Sequence, residues 1–408
     1  MDTSREDPLE RLRAATLERD AAGLRRRLRS RTAEHDDLID LASNDYLGLS
    51  RDPRLVEGAI RAAREWGVGS GGSRLVTGTT GLHAALDARL AEFVGTPAGL
   101  VFSSGYLANL GAITALSGPD TLVISDQVNH ASIVDACRLS RSRVVITAHR
   151  DVGAVEVALA ERDEDHALVV TDAVFSVDGD LAPLSELHAV VRRYRALLVI
   201  DEAHALGVVG PLGQGGAQQA GIAGEPDVVL TLTLSKSLAA QGGAVLGAPE
   251  VIDTLIDTGR AFIFDTGLAP PSAGAALAAL DVIAAEPGLP ARARERARRI
   301  AGLAGDLGLE TTVPAAAVVP VVLGEPRAAL RAAEICREHG ARVGCFRPPS
   351  VPKGRACLRI TARASLTESE LTTLGKALKA VAEETNPYPA CVTSRPTGSE
   401  REESARDG

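Results

Sequence analysis

Lysine is rare in this 408-residue chain, with four (at 236, 353, 376 and 379) among 44 basic residues. Lys236 closes the stretch Thr231-Leu232-Thr233-Leu234-Ser235-Lys236, where an apolar, β-branched run from Val228 to Thr233 reads as a strand. Arginine is this chain's habit for positive charge, but a guanidinium keeps its proton. An amine desolvated at a strand end can lose its proton and form a Schiff base with a carbonyl. Other reactive side chains follow apolar runs in the same way: Ser103-Ser104-Gly105-Tyr106, Asn129-His130, Thr171-Asp172 with Ser176, and Asp201-Glu202-Ala203-His204. Each has an ordinary use when taken singly. Asp201 could cap a turn, His130 could start a helix, Thr233 and Ser235 could be plain strand-end hydroxyls, and Lys236 could hold its head in solvent. Together, hydroxyls, carboxylates, imidazoles and an amine describe a cleft.

A lysine that forms a Schiff base needs a carbonyl partner, and this inventory suits pyridoxal 5'-phosphate, an aldehyde whose ring acts as an electron sink. Asp201 is the natural carboxylate for a protonated ring nitrogen, His204 can bond the ring's phenolic oxygen, and His130 can stack on the ring. Gly105 and Tyr106 at a strand-to-helix turn, with Thr233 and Ser235, supply the N–H groups and hydroxyls that a phosphate requires.

The elements that must position these residues form a regular pattern. Gly99-Leu-Val-Phe, Thr121-Leu-Val-Ile, Arg143-Val-Val-Ile-Thr, Ala167-Leu-Val-Val-Thr, Leu197-Leu-Val-Ile and Val228-Val-Leu-Thr are continuous apolar runs, and helical patterns separate most of them. This alternation predicts an α/β fold with a mostly parallel sheet covered on both faces, and such sheets bind ligands at the carboxyl ends of their strands. Four segments are expected. Residues 1–51 hold an N-terminal helix (9–29) and a short strand, 52–265 form the large α/β domain, 266–385 form a smaller α+β domain, and 386–408 form a disordered tail. Gly67-Val-Gly69-Ser-Gly71-Gly72 formally matches a dinucleotide fingerprint, but a helix precedes it where that motif needs a strand.

Composition excludes several function classes. A net charge of -9 leaves no basic footprint for nucleic acid. Five cysteines without CxxC spacing support neither a disulfide framework nor a zinc site, so no metal is expected. The first thirty residues are charged throughout, and no window is apolar enough to span a bilayer. A soluble, cytoplasmic protein is the expectation.

An ordered set of motifs resembles the α-oxoamine synthase family, within the aspartate-aminotransferase-like fold (fold type I) of pyridoxal-phosphate enzymes. The set runs Ser43-Asn44-Asp45-Tyr46-Leu47-Gly48-Leu49, Gly69-Ser-Gly-Gly-Ser-Arg74, Ser104-Gly105-Tyr106, Asn129-His130-Ala-Ser132 and Val174-Phe175-Ser176-Val-Asp178-Gly179. It continues with Asp201-Glu-Ala-His204, Leu234-Ser-Lys236 and Arg347-Pro-Pro-Ser350-Val-Pro352. The resemblance implies a seven-stranded sheet and decarboxylative condensation of an amino acid with an acyl thioester. In that reaction Lys236 is both covalent anchor and proton-transfer base, and His130, Asp201 and His204 share the catalytic set. It further implies that Ser176 contacts the cofactor, that Asn44, His130 and Arg359 hold the amino-acid substrate, and that Arg25 and Ser350 meet the acyl group. A homodimer with interface active sites is implied too, with Thr266 reaching the partner subunit's phosphate. The Phe346-Arg-Pro-Pro-Ser-Val-Pro stretch and the absence of long extensions point, within the family, to L-alanine with pimeloyl-CoA or a pimeloyl carrier protein. Condensations of glycine with acetyl- or succinyl-CoA, or of serine with a long acyl-CoA, would share the same catalytic residues.

Overall fold

Successive residues of a strand point to opposite faces, and the apolar runs use both. In the computed structural model, which describes residues 7–31 and 37–385, Val123, Leu168, Val170, Val199, Val229 and Val245 enter one core. Their neighbours Leu122, Ile124, Val169, Leu198, Ile200, Leu230 and Leu246 enter the other. A sheet buried on both faces needs such unbroken runs.

Strand β1 (Ile39–Leu41) stands apart from the next seven: β2 (Ala98–Phe102), β3 (Thr121–Asp126), β4 (Arg143–Thr147), β5 (His166–Asp172), β6 (Leu197–Asp201), β7 (Val228–Thr233) and β8 (Gly243–Gly247). These seven form one sheet in the order β2-β8-β7-β6-β5-β3-β4. Pairings from β4 through β7 are parallel, and β8 runs antiparallel between β7 and β2. The apolar-run pattern finds six of the seven strands. It misses β8, whose Gly-Ala-Val-Leu-Gly sequence reads as a small-residue turn. Glycine is required at its start, since a Cβ on Gly243 would lie 2.4 Å from the Ser104 carbonyl oxygen.

The second sheet has the order β1-β11-β12-β10-β9, built from β9 (Glu310–Thr311), β10 (Val318–Gly324), β11 (Ala341–Phe346) and β12 (Ala356–Thr361). Helices Leu289–Asp306, Pro326–Glu338 and Glu368–Thr385 pack with it. Strand β1 pairs in parallel with β11, so the N-terminal segment is tied to this sheet. Helix Pro270–Ala285 lies on helix Pro53–Trp66 through Gly58 and Gly274, where a Cβ on either would meet the other's carbonyl oxygen at 2.7 or 2.5 Å.

The N-terminal helix is shorter than the 9–29 pattern predicts. It runs Pro8–Ala21 and stops before Gly23, which has a φ of 67°. Its leucines are not buried by the described residues: Leu12 is 52% and Leu17 68% exposed. Among the described residues no single helix is long and apolar enough to cross a membrane. The expected tail, 386–408, lies outside the described residues.

One polar cluster fixes a hairpin that the site depends on. Residues Val174 to Leu181 close a tight turn, with Phe175 N–H donating to the Asp180 carbonyl and Gly179 N–H to that of Phe175, each at 3.0 Å. His149 packs edge-on to Phe175 at 4.4 Å between centroids. Its two ring nitrogens lie 3.1 Å from Asp126 and 3.0 Å from Asp180. These two carboxylates raise the imidazole pKa to about 9, against the opposing effect of burial. The stabilisation is therefore complete below the unfolded value near 6.5 and lost as pH rises through about 9. Thermal melts should show it. Between pH 7 and pH 9.5 the midpoint of the wild type should fall by about 1–2 °C more than that of His149→Gln. Equal falls in the two proteins would refute the assignment.

Candidate active site

The sheet order places β4 on one side of β3 and β5 on the other. The gap beyond the carboxyl ends of β3 and β5 is therefore a topological switch point, where open α/β sheets bind ligands. Asn129 bridges it: its amide nitrogen donates to the Val170 carbonyl (2.8 Å) and its amide oxygen accepts from the Asp172 N–H (3.1 Å). The next residue, His130, donates its own N–H to the Asp172 carboxylate at 2.8 Å. Its ring, on a solvent-accessible residue, is oriented by Ser132, whose hydroxyl lies 2.7 Å from Nδ1.

Three more sequence-predicted residues meet at the ends of β6 and β7. Asp201 is the last residue of β6 and is 4% exposed. One carboxylate oxygen accepts from the Ala203 N–H (2.9 Å) and the other from the Asn109 amide (2.7 Å). Lys236, in the turn after β7, places Nζ 3.0 Å from His204 Nε2. Desolvation lowers the lysine pKa to about 8, with Arg359 pushing the same way and Asp201 and Asp172 opposing. Burial drives the His204 pKa well below its ordinary value, helped by Lys236 and Arg359, so the imidazole is neutral. An amine near its neutral form beside a neutral imidazole and a buried carboxylate is the donor set that a protonated pyridine ring, its phenolic oxygen and its aldehyde call for.

At the phosphate end, Gly105 begins helix Gly105–Ala115, with Ser104 as its cap. A Cβ on Gly105 would lie 2.9 Å from Thr233 Cβ, so glycine is what lets this helix start approach β7. Thr233 and Ser235 hydroxyls lie 2.7 Å apart beside it. Tyr106 is 43% exposed and donates its hydroxyl to Asp135 at 2.5 Å. Thr266 is exposed, and its backbone bridges to Ser73.

The substrate candidates divide. Arg359, 3% exposed on β12, donates from Nε to the Ser176 carbonyl (2.6 Å) and from Nη1 to the Asn44 amide oxygen (2.9 Å), and packs over the Phe346 ring. It thus brings Ser176 and Asn44 to one place. Arg25 is exposed and lies 4.0 Å from Asp20. Its neighbour Arg26 donates to the Ser350 hydroxyl at 3.0 Å. Leu24, Arg26, Phe346, Arg347, Pro348 and Ser350 line a pocket of about 300 Å³.

Sequence reasoning gave no role to three buried groups that complete the site. Asn109 sits inside an apolar helix and spans Asp201, Ser132 (2.8 Å) and the Thr231 hydroxyl (2.6 Å). Asp172 lies in register with Asp201 on the adjacent strand. Burial and that second carboxylate raise its pKa well above the usual range. Tyr46, fully buried, places its hydroxyl 2.5 Å from His204 Nδ1. Asn109 carries no local signal, whereas Asp172 and Tyr46 lie within stretches already singled out.

Comparison with known proteins agrees with this geometry. Residues 36–378 match the family described as aminotransferase class I and II. The chain is 59% identical over 374 residues to an 8-amino-7-oxononanoate synthase of Mycobacterium sp. (strain JLS), covering 91% of this chain and 96% of that protein. It is 57% identical over 364 residues to the synthase of Mycolicibacterium smegmatis, covering 89% and 94%. Among solved structures, the serine palmitoyltransferase of Sphingomonas wittichii superposes with a TM-score of 0.84 at 30% identity, over 95% of this chain and all of that one. The 8-amino-7-oxononanoate synthase of Francisella tularensis gives 0.74 at 25% identity, over 86% and 99%. With its buried lysine, paired histidine and strand-end aspartate in this fold, the chain belongs to the pyridoxal-phosphate-dependent class I and II aminotransferase family and, within it, to the α-oxoamine synthases.

Proposed function

We propose that this chain condenses L-alanine with pimeloyl-CoA, or with a pimeloyl carrier protein, giving 8-amino-7-oxononanoate, the free thiol carrier and carbon dioxide. The observation that carries the chemistry is Lys236 Nζ, held with its pKa near 8 at 3.0 Å from His204 and in the field of Asp201. The choice of substrates rests on the relatives named 8-amino-7-oxononanoate synthase at 56–59% identity.

When bound, pyridoxal phosphate supplies an electrophilic carbonyl and a ring that draws electrons from the amino acid's α-carbon. Lys236 would hold it covalently and later take the α-proton of alanine. Asp201 would keep a proton on the ring nitrogen, His204 would donate from Nε2 to the phenolic oxygen, and His130 would cover the ring face. The Gly105 N–H, Thr233 and Ser235 would bind the phosphate, with Tyr106 at its edge and Ser176 beside the cofactor. Arg359 and Asn44 would grip the alanine carboxylate until it leaves as carbon dioxide. Ser350 and the adjoining arginines, Arg25 and Arg26, would meet the acyl chain.

A second copy of the chain is part of this reading. Trp66, Val68, Leu75, Val76 and Phe264 are exposed apolar side chains on segments joined by the Ser73–Thr266 bridge, with Val68 at 80% and Phe264 at 71%. Exposed apolar side chains on joined segments suit a partner's cover, and a homodimer would bring Thr266 to the partner's phosphate. The four described cysteines are free thiols, which suits the cytoplasm.

The test is a paired assay. Release of CoA and carbon dioxide from L-alanine with pimeloyl-CoA should far exceed turnover of glycine with acetyl- or succinyl-CoA; the reverse ranking would remove the assignment of substrates. A companion prediction concerns Arg359. Alanine substitution should raise KM for L-alanine about 100-fold, the value of a paired, charge-assisted hydrogen bond. Lysine should rescue little of it, because a point charge cannot reproduce the fork. An unchanged KM in R359A would place the carboxylate elsewhere.

A further inference from the structure

Tyr46 has no part in the proposed chemistry, yet it occupies the junction of the two halves of the site. Its hydroxyl lies 2.5 Å from His204 Nδ1, 3.4 Å from Arg359 Nη2 and 3.3 Å from the Asn44 amide oxygen. Arg359 Nη2 is also 3.4 Å from His204 Nδ1, and all of Tyr46, His204 and Arg359 are at most 5% exposed. A guanidinium N–H only donates. A proton on His204 Nδ1 would therefore confront Arg359, and the phenol would have to accept from both. With the proton on Nε2 instead, Nδ1 accepts from the Tyr46 hydroxyl and faces Arg359 with its lone pair. Nε2–H is then aimed at Lys236 Nζ, 3.0 Å away, which accepts it once the amine is neutral, above its pKa of about 8.

We propose that Tyr46 is a positioning residue that fixes His204 in its Nε2–H tautomer and ties that choice to the arginine that grips the substrate carboxylate. The deeper part of this proposal rests on the reading of Lys236 and His204 as cofactor-facing groups. The tautomer itself does not. Binding of a carboxylate at Arg359 draws the guanidinium toward the substrate, and the phenol then becomes the main partner left to Nδ1. The second ring nitrogen of a working histidine sets what the first can do. Here it makes Nε2 a donor before any ligand arrives. Burial raises the Tyr46 pKa, so the phenol keeps the proton that it donates.

Two measurements test this. In the full chain without added cofactor, at about pH 9 where the Lys236 amine is neutral, long-range proton–nitrogen spectra of ¹⁵N-labelled histidine, with His204 assigned by its loss in His204→Asn, should show a neutral Nε2–H ring. In Tyr46→Phe, which keeps the aromatic ring, that single tautomer should be lost. A wild-type ring carrying its proton on Nδ1 overturns the proposal even if the variant does not fold, and so does an unchanged ring in the variant. In protein loaded with pyridoxal phosphate, Tyr46→Phe should retain visible absorbance. The pH midpoint of that band should move up by about one unit, because a weakened donor at the phenolic oxygen no longer favours its anion. The rate at neutral pH should fall about tenfold while Lys236-dependent loading persists. An unshifted midpoint overturns the coupling. Absence of a visible band in the wild type would instead defeat the cofactor reading and leave the tautomer to be decided by the cofactor-free spectra.

Discussion

Lys236→Ala should yield a folded chain that, mixed with pyridoxal phosphate, never develops the visible absorbance of a lysine-linked cofactor. Its turnover of L-alanine with pimeloyl-CoA should drop by about 10⁴-fold or more, because anchor and proton-transfer base are lost together. Folding should survive, since truncating a side chain whose pKa is already lowered toward neutrality removes a buried amine rather than a structural ion pair. Lys236→Arg separates charge from nucleophilicity: it restores the cation and none of the chemistry. A K236A protein that kept a substantial part of its rate would end the reading of the site, whatever became of the substrates.

The same amine predicts a pH dependence. Its pKa is lowered from the ordinary lysine value to about 8, first by desolvation. The reactive neutral form therefore predominates above pH 8 and declines about tenfold per unit below it. Loading of pyridoxal phosphate into cofactor-free protein, followed by the growth of the visible band, should accelerate up to about pH 8 and then level off. A rise that continued to about pH 10 would mean that the Lys236 amine keeps the ordinary lysine value.

The parts of this molecule that sequence discloses are those whose physics is local. Six strands are legible because burial on both faces demands continuous apolar runs, and the polar residues that follow each run are legible because a parallel sheet presents its carboxyl ends together. Strand β8 is hidden by its glycines, of which Gly243 is there for the approach of Ser104 and not for strand propensity. The N-terminal helix is over-read for the opposite reason: leucines continue past Ala21, but Gly23 adopts a left-handed conformation that ends it. Within the site, Lys236, His204 and Asp201 belong to motifs that can be quoted, whereas Asn109 looks like one polar residue on an apolar helix. Its function lies in a tertiary fact, the approach of helix Gly105–Ala115 to β6, that no spacing encodes. The arginine that donates to the Ser350 hydroxyl is Arg26, one position from Arg25. Residues 22–31 are irregular, so no helical period tells which of Arg25, Arg26 and Arg27 faces Ser350.

Asp201→Asn should cost nearly as much as the loss of the lysine, and its pattern of failure is more informative. The substitution keeps shape. The amide oxygen of D201N can still accept from the Ala203 N–H, now 2.9 Å from the carboxylate. Its NH₂ would face the Asn109 NH₂, which currently donates at 2.7 Å. Asn109 can resolve that conflict by flipping its amide: its oxygen then accepts from the new NH₂ and from the Ser132 hydroxyl, and its NH₂ donates to the Thr231 hydroxyl. The fold should therefore be retained while a buried negative charge disappears. That charge holds the Lys236 pKa up against desolvation, so in D201N the amine should titrate below 8 and cofactor loading should begin at lower pH. Turnover should nevertheless fall about 10³-fold, because a preorganised charge aimed at the ring nitrogen is an electrostatic contribution of several kcal/mol. Loading that becomes easier while catalysis collapses is a combination that neither misfolding nor loss of binding produces. A variant in which both decline together would reassign Asp201 to a structural role.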